Sequence, residues 1–590
     1  MFKMKRIWHL LNASEKIRIS LITAEQLILT ALDLVLLASL YLLISKLNSS
    51  EEFQNLGILN DFIRVLSLNG NENSSTPYFT LAFITVIKVL MSFSLQRKTM
   101  RFLGEAQQRI SKEIVQDLSM SKLTHIKGLT SQELSYLATT SVDAAILFTL
   151  SSLINLIVDG ILIICVLAIL LISSTLQVLW ILFFIAVVSY ILQRTLSKKA
   201  QIVGQRESTS HLNSINLLDD IFSNLREIRL RGQLTTFLKL FGSERKINSL
   251  CIQDRNLLQL LPKYIFEMIM IIVLCGFAIV STNFQLTAAE ISSIFSFIIV
   301  ISVRILPALI RIQSSITTIH SWAGVSDKLF NSNYSPIGNY QDEILKPEVL
   351  ISRGIKNQLP QYGICIKFEN VSFRYEKNTE EILSKANLTI QNKEFIAFVG
   401  PSGSGKSTLA DLLGGFLEPS TGRITINGLS IDEFVTEFPG KLAYIPQEVR
   451  LIQGSILENI SLKIGRFSDP ELARIEKLME TVGLSTARFV DANGKYVRIG
   501  PSFSELSGGE KQRVGLARAM YSNPDLIIMD EMTSSLDTDS QKLITEVINS
   551  MKGKVTLLVI AHRLETIQGA DRILTIQNGE ILENPRFSNP

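Results

Sequence analysis

The chain has 590 residues, 47% of them hydrophobic, a net charge of +4 and four cysteines, with a mean hydropathy of +0.28. Cys165, Cys251, Cys275 and Cys365 lack CxxC spacing and two of them lie in apolar runs, which argues against a metal or disulfide framework and for packing. The apolar residues are concentrated before residue 310 in runs of about 20, the length that crosses a bilayer. A length-based prior of about four domains therefore gives way to a membrane half followed by one domain of soluble composition.

In chain order, MFKMKRIWHLLNASEKIRIS (1–20) is basic and amphipathic and lacks a signal-peptide core and cleavage site. It predicts a helix lying on the inner leaflet with Trp8 at the headgroups. Six spans follow, near 21–45, 78–96, 143–172, 176–194, 258–281 and 288–311. Segment 97–142 carries Arg97, Lys98, Arg101, Arg109, Lys112, Lys122 and Lys127, and 195–257 is richer still, whereas 173–176 and 281–288 carry no Lys or Arg. The positive-inside rule then puts both chain ends in the cytoplasm. The outer loop holds EEFQNLGILNDFIRVL (51–66), a short amphipathic helix by spacing that either caps the bundle or touches lipid or cargo. The two long basic loops read as helical extensions of the spans. Their tips, around Thr130–Tyr136 and Leu225–Phe237, are either solvated or docked on the soluble domain.

The last span ends in VRILPALIRIQ (303–313), where Arg304 and Arg311 stand seven residues apart on one helix face and Pro307 predicts a bend. Lys88 is a third cation within a span. A charge at bilayer depth costs at least about 2.5–3.5 kcal/mol, so such residues face a cavity or a partner. Arg304 and Lys88 either meet an anionic cargo or pair with Asp33, Asp159 or Glu267. Arg311 and Lys263 read as boundary residues.

The soluble half opens its chemistry at GPSGSGKST (400–408), which follows the apolar run EFIAFV and precedes a helical pattern. It fits the P-loop: Gly400, Gly403 and Gly405 let backbone N–H groups wrap phosphate oxygens, Lys406 reaches the β- and γ-phosphates, and Ser407 ligates Mg²⁺. Ser402, Ser404 and Thr408 belong to the same nucleotide-binding loop. LIIMDE (526–531) is the matching acidic strand end. Asp530 would hold Mg²⁺, and Glu531 is placed to polarise the attacking water.

ELSGGEKQRVGLARAM (505–520) resembles the signature of ABC transporters, here Leu506-Ser507-Gly508-Gly509-Glu510. The family's other motifs stand in order around it: FENVSFRY with Tyr375, AYIPQ with Gln447, SSLD with Asp537, and IAHR with His562. The resemblance implies a six-helix transmembrane domain of the type IV exporter fold (1–325), a linker (326–360) and an α/β P-loop nucleotide-binding domain (361–590). It implies ATP and Mg²⁺ as cofactors, with Gln447 joining Ser407 and Asp530 around the metal. Tyr375 would stack on adenine and His562 would contact the γ-phosphate. Ser507, Gly508, Gly509 and Asp537 would serve an ATP held by a second copy of the chain. With Glu531 and His562 both present, a homodimer has two hydrolytic sites. IGPSFSELSGG departs from the exporter pattern at Pro501 and Phe503, which touches coupling rather than ATP binding.

For cargo, HIKGLTSQEL (125–134), REIRLRG (226–232) and RILPALIRI (304–312) look like stretches of bacterial lipid-linked oligosaccharide flippases of the PglK type. That resemblance implies flipping of a polyisoprenyl-pyrophosphate-linked oligosaccharide across the inner membrane, with Arg304 and Lys88 as substrate contacts. Arginine suits bidentate contact with a pyrophosphate. The alternatives are export of a peptide or hydrophobic drug and an ATP-gated regulator or channel. Six spans rule out a soluble ATPase working on nucleic acid.

Overall fold

The computed structural model describes residues 7–47, 76–120, 130–173, 176–283, 305–330, 363–375, 381–491, 494–497, 506–532, 537–561 and 567–583. The chain divides into two compact units near Ile344. The outer-loop helix expected at 51–66, the loop with Pro501 and Phe503, Arg304, His562 and most of the sixth span lie outside the described residues.

The first unit is helical. Its elements are α1 (Ala13–Leu47), α2 (Thr76–Met120), α3 (Ser131–Tyr136), α4 (Ser151–Ser173), α5 (Leu176–Ser223), α6 (Leu225–Leu230), α7 (Leu234–Asn283) and α8 (Leu306–Ser326). Between α3 and α4 the helix widens to π geometry over Leu137–Ser141 and Ala144–Leu150. Each of the first five expected spans falls within this helical framework. Among the described residues, two helical stretches, Ser131–Leu167 and Leu234–Gly276, are long and apolar enough to cross a membrane.

The spans do not stop at the bilayer. α2, α5 and α7 run unbroken for 45, 48 and 50 residues. At a rise of ~1.5 Å per residue that is roughly 70 Å, more than twice a hydrocarbon core of ~30 Å. Pro262 sits within α7 and removes one ladder hydrogen bond there.

α1 and α2 pack antiparallel along a seam of ion pairs. Going up α1, Glu15 meets Arg109 at 2.6 Å, Arg18 meets Glu105 at 3.2 Å, Glu25 meets Lys98 at 2.6 Å and Asp33 meets Lys88 at 2.6 Å. Beneath the seam Ile19, Ile22, Leu95, Phe102 and Leu103 join a core that includes Ile146 and Ile154. Ile7, Leu10 and Leu11 enter the same core while Trp8 stays exposed, so the start of the chain is partly tucked into the bundle.

A second core gathers Leu162, Val166, Ile185, Phe266, Ile269 and Ala308 from α4, α5, α7 and α8. Here α5 and α8 touch backbone to backbone: a Cβ on Gly204 would lie 1.9 Å from the Ser321 carbonyl oxygen, so only glycine fits. Nearby, Arg255 Nη1 donates to Glu207 at 2.8 Å, and its guanidinium lies 4.7 Å from the Trp322 ring centre. Burial pushes the Glu207 carboxyl up, against the Arg255 charge that pulls it down.

The second unit is α/β. Its strands are β1 (Ile366–Phe373), β2 (Leu383–Ile390), β3 (Phe395–Val399), β4 (Thr421–Ile426), β5 (Leu429–Ser430), β6 (Leu442–Ile445), β7 (Leu526–Asp530), β8 (Thr556–Ile560), β9 (Arg572–Gln577) and β10 (Glu580–Glu583). The main sheet has the order β10-β9-β3-β8-β7-β6, parallel except for the β10 edge, and the second sheet is antiparallel with the order β2-β1-β4-β5. Its helices are α9 (Lys406–Leu413), α10 (Ile431–Glu437), α11 (Ile456–Ser461), α12 (Asp469–Thr481), α13 (Gly508–Tyr521) and α14 (Thr538–Met551).

β7 and β8 are buried along their whole length, as a parallel strand covered on both faces must be. Side chains alternate between the two covers. Phe395, Ala397, Ile527 and Met529 face the core shared with α13 and α14, and Ile396, Phe398 and Ile528 face the core shared with α9 and the antiparallel sheet.

Candidate functional site

The parallel register brings the carboxyl ends of β3, β7, β8 and β6 to one edge of the sheet, where the loops carry the chemistry. After Val399 the chain turns through Gly400, Gly403 and Gly405 at φ +154°, +81° and +97° before α9 starts at Lys406. At Gly400 a Cβ would stand 2.5 Å from the Ile576 carbonyl oxygen, and at Gly405 one would stand 2.6 Å from the Ile382 side chain. The loop is therefore held tight by its neighbours, with its glycines free of side-chain bulk on the inner side.

Lys406 is buried, and its Nζ donates to the Gly400 and Pro401 carbonyl oxygens at 3.0 and 2.9 Å. The ammonium thus folds into the concavity of its own loop. Ser404 Oγ is buried there with no partner among the described residues. A buried hydroxyl left unsatisfied at a helix N-terminus, beside a cation, fits an acceptor-rich anion such as a phosphate. Ser407 Oγ lies 3.4 Å from Asp530 Oδ1. Two oxygens that close are compatible with neighbouring positions around an octahedral ion of ~2.1 Å bond length. Among the described residues no cluster of three or more His, Cys, Asp or Glu could hold a metal.

Asp530 is pushed up from the ordinary carboxylate range, chiefly by burial and also by the neighbouring Glu531 and Asp411 charges, against the hydrogen bond from Ser407 and the Lys406 charge. A cation beside it would remove that penalty. Glu531 follows immediately, with φ +43°, a left-handed backbone that a non-glycine residue rarely adopts. Its N–H donates to the Ile560 carbonyl oxygen at 3.0 Å, which holds the turn. Gln447 Nε2 donates to Glu531 Oε2 at 2.9 Å, so the residue expected to sense the γ-phosphate touches the expected base.

The remaining motif residues fall into two groups. Tyr375 stacks edge-on against Phe373 at 5.0 Å, and its hydroxyl lies 3.3 Å from Thr408 Oγ1 at the base of the P-loop helix. Ser507 caps α13: its Oγ accepts from the Glu510 N–H at 3.2 Å while Glu510 Oε2 accepts from the Ser507 N–H at 2.7 Å. Glu510 also pairs with Arg488. A Cβ on Gly509 would meet Ser540 Oγ at 2.7 Å, and Ser540 is the residue whose N–H Asp537 caps at 3.1 Å. The signature helix is thus braced against Asp537 and the first turn of α14. His562 and the rest of SSLD lie outside the described residues.

Among the described residues, Lys88 and Arg311 are each paired with an acid. Lys88 meets Asp33 at 2.6 Å with both side chains largely buried. Lys88 stands ten residues before Lys98 on α2, roughly 15 Å further along the helix. Arg311 makes three contacts of 2.6–3.0 Å to Asp159, through Nε and Nη2. The boundary expectation for Arg311 misses this partner on α4. Lys263 lies 3.9 Å from Glu267 one turn on.

Residues 383–534 match the ABC transporter family pattern. This unit carries an ABC transporter ATP-binding domain. The ATP-dependent lipid A-core flippase of Ralstonia nicotianae is 36% identical over 219 residues, 37% of either chain. The ABC-type transporter kk1G of Curvularia clavata is 39% identical over 224 residues, 38% of this chain and 16% of its own. An ABC transporter ATP-binding protein of Bacillus subtilis, YwjA, is 39% identical over 231 residues, 38% of each. The chain thus covers well under half the length of these relatives. Across its full extent it has the fold of an ABC exporter: it superposes on a bacterial Atm1-family ABC exporter with ATP bound at TM-score 0.73 and 20% identity, covering 97% of this chain and 95% of that one.

Within the ABC domain the motifs missed Tyr444 and Gln512. Burial together with the neighbouring Asp530 and Asp411 charges pushes the Tyr444 phenol well up. Phe416 packs edge-on against its ring at 5.1 Å. Gln512 Nε2 donates to the Gln447 carbonyl oxygen at 2.6 Å, linking the signature helix to the Gln447 loop. The only hint in sequence is that Tyr444 stands three residues before Gln447, near the end of β6.

Proposed function

We propose that the chain is half of an ATP-driven transporter that works as a homodimer in the inner membrane, with its ATP-binding domain in the cytoplasm. The carrying observation is the convergence of Lys406, Ser407, Asp530, Glu531 and Gln447 at one edge of the parallel sheet. Lys406, Ser404 and the P-loop N–H groups would hold the phosphates, Ser407, Asp530 and Gln447 would hold Mg²⁺, and Tyr375 would meet the base. Mg²⁺ supplies charge neutralisation between the phosphates when bound. Glu531, oriented by its strained backbone and by Gln447, takes the water proton, and His562 contacts the γ-phosphate. Ser507, Gly508, Gly509 and Asp537 serve the nucleotide of the second copy. Closure of that pair would drive the bundle outward through the tips at Thr130–Tyr136 and Leu225–Phe237.

For cargo we propose a polyisoprenyl-pyrophosphate-linked oligosaccharide. Two supports are independent: relatives are named for flipping lipid A-core, and the transmembrane half carries cations that suit a compact phosphate anion. Because Arg311 and Lys88 are each held by an acid, Arg304 is the substrate contact that the reading rests on. The test is ATP-dependent translocation of pyrophosphate-linked glycolipid in proteoliposomes, with wild type against Arg304→Ala. Loss in the variant supports the assignment. Movement of a neutral amphipath or peptide instead, with no glycolipid moved, replaces it by the drug or peptide reading.

A further inference from the structure

A groove of about 450 Å³ lies between α1 and α2, on the helices' own surface. Its walls carry Arg18, Arg97, Lys98 and Arg101 together with Leu21 and Phe102. Two of the four cations are already satisfied: Arg18 is paired with Glu105 and Lys98 with Glu25. Arg97 and Arg101 are exposed and have no acidic partner among the described residues. They stand one turn apart, on the same face of α2. Two guanidinium groups at that spacing, beside a groove that already holds a balanced pair of ion pairs, leave a local excess of two positive charges.

The same face continues as an apolar stripe away from the charges. Phe93, Leu90, Val86 and Phe83 recur at helical spacing toward the start of α2, each more than half exposed on the chain surface. On α1 Leu21 and Ile28 do the same. The surface is therefore basic at one end, where the spans leave the membrane, and apolar along the rest. Its charge and its polarity run in the order of a lipid, a phosphate followed by acyl chain. Neither the ATP chemistry nor the proposed cargo path uses any of these residues.

We propose that this groove is a binding site for an anionic phospholipid of the cytoplasmic leaflet, its phosphate held between Arg97 and Arg101 and its acyl chains along Leu90, Phe93 and Leu21. The lipid is a resident partner of α1 and α2, not the transported cargo. A juxtamembrane arginine contributes roughly a fivefold preference for anionic lipid, so two contribute about 30-fold.

The test uses the full-length protein, purified from membranes without nucleotide, and reads the lipids retained by native mass spectrometry after exchange into mixed phosphatidylglycerol and phosphatidylcholine micelles. We expect wild type to retain phosphatidylglycerol preferentially, Arg97→Ala/Arg101→Ala to lose most of that preference, and Arg97→Lys/Arg101→Lys to keep much of it. The lysine variant also guards against misfolding as a cause, and unchanged melting of the alanine variant does so directly. Equal retention of both lipids by wild type overturns the proposal, as does undiminished preference in the alanine variant. Arginine-dependent binding of inorganic phosphate with no enrichment of the lipid overturns the lipid as ligand. Because no ATP and no glycolipid are present, the result is separable from that of the translocation assay.

Discussion

Breaking the Arg311–Asp159 pair is expected to give two unequal results depending on which side is removed. Asp159 has a side chain 8% exposed, whereas Arg311 is 53% exposed. Arg311→Gln leaves the carboxylate buried without its cation. Removing one partner of a buried pair costs about 3–5 kcal/mol, and Asp159 is buried enough to bear the lower part of that, about 3 kcal/mol. Asp159→Asn leaves a guanidinium that is half exposed at the end of the last span. A long arginine at the end of a span can carry its charge toward the membrane interface, so the cost is smaller, about 1–2 kcal/mol. The double variant should fall below Arg311→Gln alone, since it leaves no orphaned charge. The Lys88–Asp33 pair has side chains 16% and 10% exposed, so its two single variants should cost about the same. Denaturant titration of the purified protein in lipid nanodiscs, run as two double-mutant cycles, reads all of this. Asp159→Asn as damaging as Arg311→Gln would refute the reasoning.

The raised Asp530 carboxyl sets a pH dependence. Its proton must leave for the metal to bind, so Mg²⁺ affinity should fall as pH is lowered through the raised value, at less acid pH than for an ordinary aspartate near ~3.9. Metal titration toward pH 5, corrected for the nucleotide's own protonation, would contradict this by staying flat. Gly204→Ala puts a methyl group into the Ser321 backbone and should cost about 2 kcal/mol or more, seen as a lowered melting temperature; Gly242→Ala, which meets nothing within 4 Å, is the control and should not lower it.

The glycine loop and the acidic strand end were readable because their chemistry depends on spacing within a few residues. What joins them was not. Gln447 and Glu531 meet because β6 and β7 pair in parallel register, and nothing local in either stretch encodes that pairing. The left-handed backbone of Glu531 is hidden for the same reason, since the position is not a glycine and is imposed by its bond to β8. Helical periodicity gave the faces of Lys88 and Arg311 but not their partners, because the partner depends on which helix packs opposite. The widened turns over Leu137–Ser141 and Ala144–Leu150 carry no residue type that marks them in the sequence.

The central claim is that this chain hydrolyses ATP with Glu531 as the group that activates water. ATP turnover by the purified protein in proteoliposomes, wild type against Glu531→Gln, with bound nucleotide counted in parallel, is the direct test. The account predicts a fall of roughly 10²–10⁴-fold in turnover with ATP still bound to the variant. Turnover near the wild-type rate in Glu531→Gln would contradict it.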